Sequence, residues 1–115
     1  MVQTIQPASV RGSVDIPGSK SHTIRALLIA TLAEGETVLR SPLYSRDTEA
    51  AIEACRSFGA RIEQWEDRIE VQGISRVVRP AAEPIDVMNS GTTLYLATTI
   101  AALSEGRVCF DGDAG

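Results

Sequence analysis

"IPGSKSHTIRALLIATLAEG", residues 16–35, decides how the rest of the chain is read. A strand-like segment runs into Pro17 and Gly18. Three small or polar residues follow, with Lys20 among them, and a long apolar helix begins. From Ser21 to Ala33 the apolar residues Ile24, Leu27, Leu28 and Leu32 recur at helical spacing and form one face. Gly35 is placed to stop that helix as the residue just past its cap. Lys20 is the chain's one lysine among 11 basic residues; the rest are arginines.

The end of this helix occurs twice. "IATLAEG" at 29–35 matches "IAALSEG" at 100–106, an offset of 71 positions (29 to 100). The same offset lays Ser19 on Ser90, Lys20 on Gly91 and Ser21 on Thr92, so the two helix starts are equivalent places in two copies of one unit. A period of that length is too long for the common solenoids. It suits a β-α-β-α-β-β unit, which residues 11–74 spell out once. A second copy opens at about residue 84 and reaches only its first helix and strand.

The other elements follow outward. "VQTIQPAS" (2–9) and "RGSVDIP" (11–17) read as short strands, with Val14 and Ile16 alternating. "ETVLRSP" reads as a strand closed by Pro42. Ser45 is the expected N-cap of a second helix, with Asp47, Thr48 and Glu49 in its first turn, where the helix dipole favours acids. Ala51, Ala54, Cys55 and Phe58 are its buried stripe, and Gly59 ends it. Residues 60–74 read as a hairpin turning at Glu66 and Asp67, with Ile62, Ile69 and Val71 facing inward. Residues 75–84 read as a connecting loop. "IDVMNSGTTLYLATTIAALSEG" repeats the strand, turn and helix plan, and "RVCFDGD" reads as the strand after it.

Composition bounds the function. The chain has 115 residues, is 43% hydrophobic and carries a net charge of −4, the profile of an ordinary globular domain or a piece of a larger one. The acidic balance and scarcity of aromatics argue against nucleic-acid binding. No apolar run approaches the ~18 residues of a membrane span, and no signal-peptide pattern opens the chain, so a cytoplasmic protein is expected. Cys55 and Cys109 lack a CxxC spacing and read as buried, reduced thiols. His22 reads as a first-turn helix residue and not as a metal ligand.

A helix start leaves up to four backbone N–H groups unpaired, and the dipole adds partial positive charge, so it cradles anions. Here Lys20 adds a point charge, Ser21 a hydroxyl, and Arg25 a guanidinium one turn on, on the face of Ser21. Ser21 reads equally as a plain N-cap, and Arg25 as a solvated helix residue. The second start, "NSGTT", has no charge; Asn89 and Ser90 can cap, Gly91 admits a ligand close to the backbone, and Thr92 and Thr93 add hydroxyls. The GxxxxGK[ST] spacing of a P-loop is absent.

"PGSKSHTIRALLIATLAEGETVLRSPLYSRDT" resembles the N-terminal signature of the 5-enolpyruvylshikimate-3-phosphate synthase family. "NSGTT" resembles that family's second signature, and "FDGD" the strand before its Arg-Pro motif. The sister family acting on a UDP-sugar has an Ala-Lys-Asn type of loop at the first place and ranks second. The resemblance implies a mixed α/β enolpyruvyl-transferase fold built from β-α-β-α-β-β units. It implies transfer of the enolpyruvyl group of phosphoenolpyruvate to the 5-hydroxyl of shikimate 3-phosphate, without metal or organic cofactor, on the route to aromatic amino acids. Position by position it implies that Lys20 and Asp47 are catalytic. Lys20 then contacts both substrates and neutralises the phosphoenolpyruvate anion, Ser21 and Arg25 bind shikimate 3-phosphate, Asn89 and Gly91 line the phosphoenolpyruvate pocket, where glyphosate has room beside Gly91, and Thr92 is a further substrate-binding residue.

Tyr95 departs from the pattern, because the family usually carries an arginine there. The later arginines and second domain of the family lie outside these residues. The expectation is therefore an N-terminal portion, inactive by itself, whose partner is the remainder of the synthase and whose uncovered apolar surface drives self-association. A non-catalytic anion-binding module is the competing reading.

Overall fold

A computed structural model describes residues 1–113. Eight elements are formed in chain order: α1 (Lys20–Leu32), β1 (Glu36–Arg40), α2 (Arg46–Ser57), β2 (Arg61–Gln64), β3 (Arg68–Gln72), β4 (Ile85–Asp86), α3 (Gly91–Ala101) and β5 (Phe110–Asp111). Helices and sheets are mixed, as the repeat pattern implied.

β2 and β3 form the expected hairpin, with Ile62 opposite Val71. β1 pairs antiparallel with the free edge of β3, Thr37 opposite Val71 and Leu39 opposite Ile69, so the sheet order is β1-β3-β2. Alternation points Ile62, Ile69 and Val71 to one face, and all three are buried. β4 and β5 pair parallel, Ile85 with Phe110, and α3 is the crossover between them.

Ile24 and Leu27 of α1, Ile52 and Cys55 of α2, Phe58 at its C-cap, and Ile69 and Val71 of β3 are fully buried in one core. Each large apolar side chain contributes about 1.5–3 kcal/mol on burial. α2 touches both other helices, so the core continues to Ala97 and Ile100 of α3.

The end of α1 is closed by a distant segment. Ile74, Ser75 and Arg76 donate their N–H groups to the carbonyls of Thr31, Ala33 and Leu32 at 2.8, 3.0 and 3.1 Å, and Gly73 donates to Gly35 at 2.9 Å. Ser75 and Arg76 take the left-handed φ values of 50° and 64° to do so. The carbonyls that every helix end leaves unpaired are thus satisfied from the stretch after β3.

Several expectations are corrected. Residues 2–9 and 11–17 form no strand: their side chains are exposed, and no formed strand pairs with them. Alternation writes an apolar face, but a strand also needs a ladder partner. "RVCFDGD" supplies only two paired residues. Gly35 is not the residue just past the cap, because α1 ends at Leu32 with Ala33 as its extended C-cap; Gly35, at φ +79°, turns the chain into β1. Cys55 is buried, but Cys109 is exposed: it lies just outside the short β4–β5 pair, where nothing covers it.

Candidate functional site

The two equivalent helix starts have equivalent caps. Ser19 accepts the N–H of His22 at 3.3 Å, and Ser90 accepts the N–H of Thr93 at 3.3 Å. Ser19, not Ser21, is therefore the N-cap of α1, and Lys20 is its first residue and not a loop residue. Gly91 holds the corresponding first place in α3. α2 starts on a capping box, with Ser45 and Thr48 exchanging side-chain and backbone hydrogen bonds.

The three starts meet at Asp47. Lys20 Nζ lies 2.5 Å from Asp47 Oδ2. The carbonyl of Asp47 accepts Thr93 Oγ1–H at 3.3 Å, and Ser90 Oγ donates to Thr93 Oγ1 at 2.8 Å. A lysine at a helix N-terminus opposes the dipole, so the carboxylate of Asp47 offsets a cation held where backbone N–H groups already attract anions. The Lys20 side chain is 50% exposed and that of Asp47 28%, so both remain within a ligand's reach.

Ser21, beside Lys20 in the first turn of α1, and Arg25, one turn on, are both exposed, and Arg25 Nη1 donates to the Ser21 carbonyl at 3.2 Å. The guanidinium thus returns to its own helix, while Lys20 turns across to α2. Asn89 and Gly91 line a cleft of about 390 Å³ between the start of α3 and the stretch after β5, walled by Phe110 and Asp113. Thr92 is half-buried, whereas Thr93 is fully buried; the rule that a cap serine meets the residue three places on would have singled out Thr93. Tyr95 is exposed, and its ring edge stands over Gly91: a Cβ built there would lie 3.9 Å from Tyr95 Cε2. An ion pair at 2.9 Å between Arg46, first in α2, and Asp113 at the cleft carried no signal in the sequence.

This arrangement can hold an anion: an ammonium, three helix starts and serine and threonine hydroxyls occupy one neighbourhood. The family model of EPSP synthase (3-phosphoshikimate 1-carboxyvinyltransferase) matches residues 4–115.

The chain belongs to the EPSP synthase family.

It is similar to the 3-phosphoshikimate 1-carboxyvinyltransferase of Acetivibrio thermocellus, with 45% identity over 98% of this chain and 27% of that protein. The enzyme of the same name from Ruminiclostridium cellulolyticum is 42% identical over the same shares. The EPSP synthase structure from Acinetobacter baumannii superposes with a TM-score of 0.83 at 27% identity, covering 90% of this chain and 24% of that one. The chain thus spans about a quarter of the length of these EPSP synthases. None of its described helices is long and apolar enough to cross a membrane.

Proposed function

We propose that this chain supplies the N-terminal part of an enzyme that moves the enolpyruvyl group of phosphoenolpyruvate to the 5-hydroxyl of shikimate 3-phosphate. The hydroxyl oxygen adds to C2 of phosphoenolpyruvate while a proton joins C3. Loss of a C3 proton and of inorganic phosphate then restores the double bond. On this reading residues 11–74 are the first structural unit, residues 84–115 open the second, and the remainder of the synthase completes the site. The reading assigns no cofactor and places the enzyme in the cytoplasm.

The observation that carries it is the Lys20–Asp47 pair, set at the first helix start in a chain of this family. Lys20 is suited to neutralise anionic charge on both substrates. Asp47, freed when a ligand takes over the ammonium, is suited to exchange protons with the reacting hydroxyl. Ser21 and Arg25 add a hydroxyl and a guanidinium for the phosphate and hydroxyl groups of shikimate 3-phosphate. Asn89, Gly91 and Thr92 offer a side-chain amide, an open backbone and a hydroxyl to phosphoenolpyruvate.

The test combines this chain with a chain supplying the remaining three quarters of the synthase and follows phosphate release. Turnover that disappears with Lys20→Met supports the reading. Tyr95, in place of the family arginine, favours the second reading, a non-catalytic anion-binding module. That module would bind shikimate 3-phosphate with no turnover in the combined preparation, and this result would displace the transferase reading.

A further inference from the structure

Asp47 lies in the first turn of α2, so its place against Lys20 depends on where that helix starts. Residues 41–45 carry the chain from β1 to Ser45 and are tied on two sides. Toward α1, Leu43 N–H donates to Thr23 Oγ1 at 3.1 Å, and Thr23 Oγ1 donates to the carbonyl of the N-cap Ser19 at 2.9 Å. Toward the β2–β3 turn, Ser41 N–H donates to the Asp67 carbonyl at 2.8 Å. On that side Tyr44 supplies the side-chain bridge: its hydroxyl donates to the carbonyl of Trp65 and reaches that of Arg68 at 3.1 Å.

The turn is itself braced. Trp65 N–H donates to the Arg68 carbonyl at 2.9 Å, and the Arg68 guanidinium sits 4.2 Å from the centre of the Trp65 ring. Arg68 also pairs with Glu70 at 2.8 Å and Asp67 at 3.2 Å. Burial, and next the Asp67 carboxylate, raise the Tyr44 pKa above its ordinary 10.0, so the hydroxyl remains a donor at neutral pH.

We propose that Tyr44 is a positioning residue for the site: its hydroxyl fixes the start of α2 against the β2–β3 turn and so holds Asp47 in reach of Lys20. Placement of a reacting group by a tie outside the site is how a distant hydroxyl affects binding and rate. The consequence for substrate rests on the transferase reading; the placement of Asp47 does not.

Because Lys20 is the one lysine, a lysine labelled with carbon-13 at Cε gives a single side-chain signal in the 115-residue chain. Asp47→Asn supplies the signal of an unpaired ammonium. Arg56→Gln is the control, since it cuts the bonds to Glu53 and the Ile62 carbonyl at the far end of α2. Tyr44→Phe is expected to move the Lys20 signal toward the Asp47→Asn position, while Arg56→Gln leaves it in place. A Tyr44→Phe signal coincident with wild type, or an equal shift in Arg56→Gln, overturns the proposal.

Hydrogen exchange of the unaltered chain gives a second measurement should the variant not fold. The amides of Glu49 and Trp65 are expected to share one opening constant, and independent opening counts against the tie. In the recombined synthase, Tyr44→Phe is expected to weaken shikimate 3-phosphate binding about 3- to 10-fold, the loss of one hydrogen bond's worth of placement. If the Lys20 signal shifts as expected while no form binds shikimate 3-phosphate, the transferase reading fails and the role of Tyr44 stands.

Discussion

Lys20 Nζ and Asp47 Oδ2 meet at 2.5 Å, joining the first residue of α1 to the first turn of α2. Both side chains are partly exposed, and ion pairs in such places contribute about 0–1 kcal/mol. The pair sets a cation against a helix N-terminus, where the dipole alone disfavours it. Its stabilising value is therefore small.

Lys20→Met is accordingly expected to change the unfolding free energy of the chain by less than about 1 kcal/mol. In the recombined synthase the same change should weaken shikimate 3-phosphate binding by at least about tenfold, the scale of one lost charge-assisted hydrogen bond. Urea unfolding and calorimetric titration separate the two quantities. Equal affinity in both forms would remove Lys20 from the site.

Two glycines should behave oppositely. A Cβ at Gly73 would lie 2.2 Å from the Ala33 carbonyl oxygen and 2.7 Å from that of Ala30, both backbone atoms. Gly73→Ala must therefore displace the segment that caps α1, and a loss of at least about 2 kcal/mol is expected. At Gly91 the nearest atom to a new Cβ is Tyr95 Cε2 at 3.9 Å, which is ordinary contact. Gly91→Ala is expected to leave the unfolding free energy within about 0.5 kcal/mol of wild type. It should still weaken phosphoenolpyruvate binding, because the methyl occupies space a ligand needs. A Gly73→Ala chain as stable as wild type would show that the capping segment yields easily.

The periodic residues made the helices legible. Ile24, Leu27 and Leu28 wrote α1, and Ser45 followed by the first-turn acids Asp47 and Glu49 wrote the start of α2 to the residue. The internal match at offset 71 laid Ser19 on Ser90 as equivalent places, but the cap reading fell on Ser21, two residues past the true cap of α1. Lys20, Ser21, Arg25 and Asp47 were legible only as residue types near helix starts; that Lys20 turns to Asp47, and Arg25 to the Ser21 carbonyl, depends on how α1 packs on α2. The pairing of β1 with β3 was hidden for the same reason, since alternation marks a strand's faces and not its neighbour. The segment around Val14 and Ile16 failed because its pattern specifies an apolar face and not a ladder partner, and none of β1–β5 pairs with it.

Apolar surface predicts association. Ile29 is 70% exposed and Leu103 58%, and Ile29 lines an apolar groove of about 290 Å³ between α1 and α3 with Leu28, Leu32, Leu96 and Ile100. Exposed apolar patches of this kind drive contact with other surfaces. Sedimentation of the 115-residue chain is expected to show a mass rising with concentration, and Ile29→Glu should lower it. A constant monomer mass across the range would mean the patch is tolerated in water.

Cys55 gives the chain an alkaline weakness. Burial lifts its thiol pKa from 9.0 to about 12. The unfolded chain therefore releases this proton at a lower pH than the folded chain does. The contribution is fully present below pH 9 and is lost as pH rises toward 12, at a slope of up to about 1.4 kcal/mol per pH unit. Other groups also titrate in that range, so the quantity to measure is the difference between wild type and Cys55→Ala. Urea midpoints taken between those limits should fall more steeply for wild type, and parallel curves would show that Cys55 does not remain a buried thiol. A thiol reagent at neutral pH offers an independent reading: exposed Cys109 should react in the folded chain, and Cys55 only at the rate of unfolding.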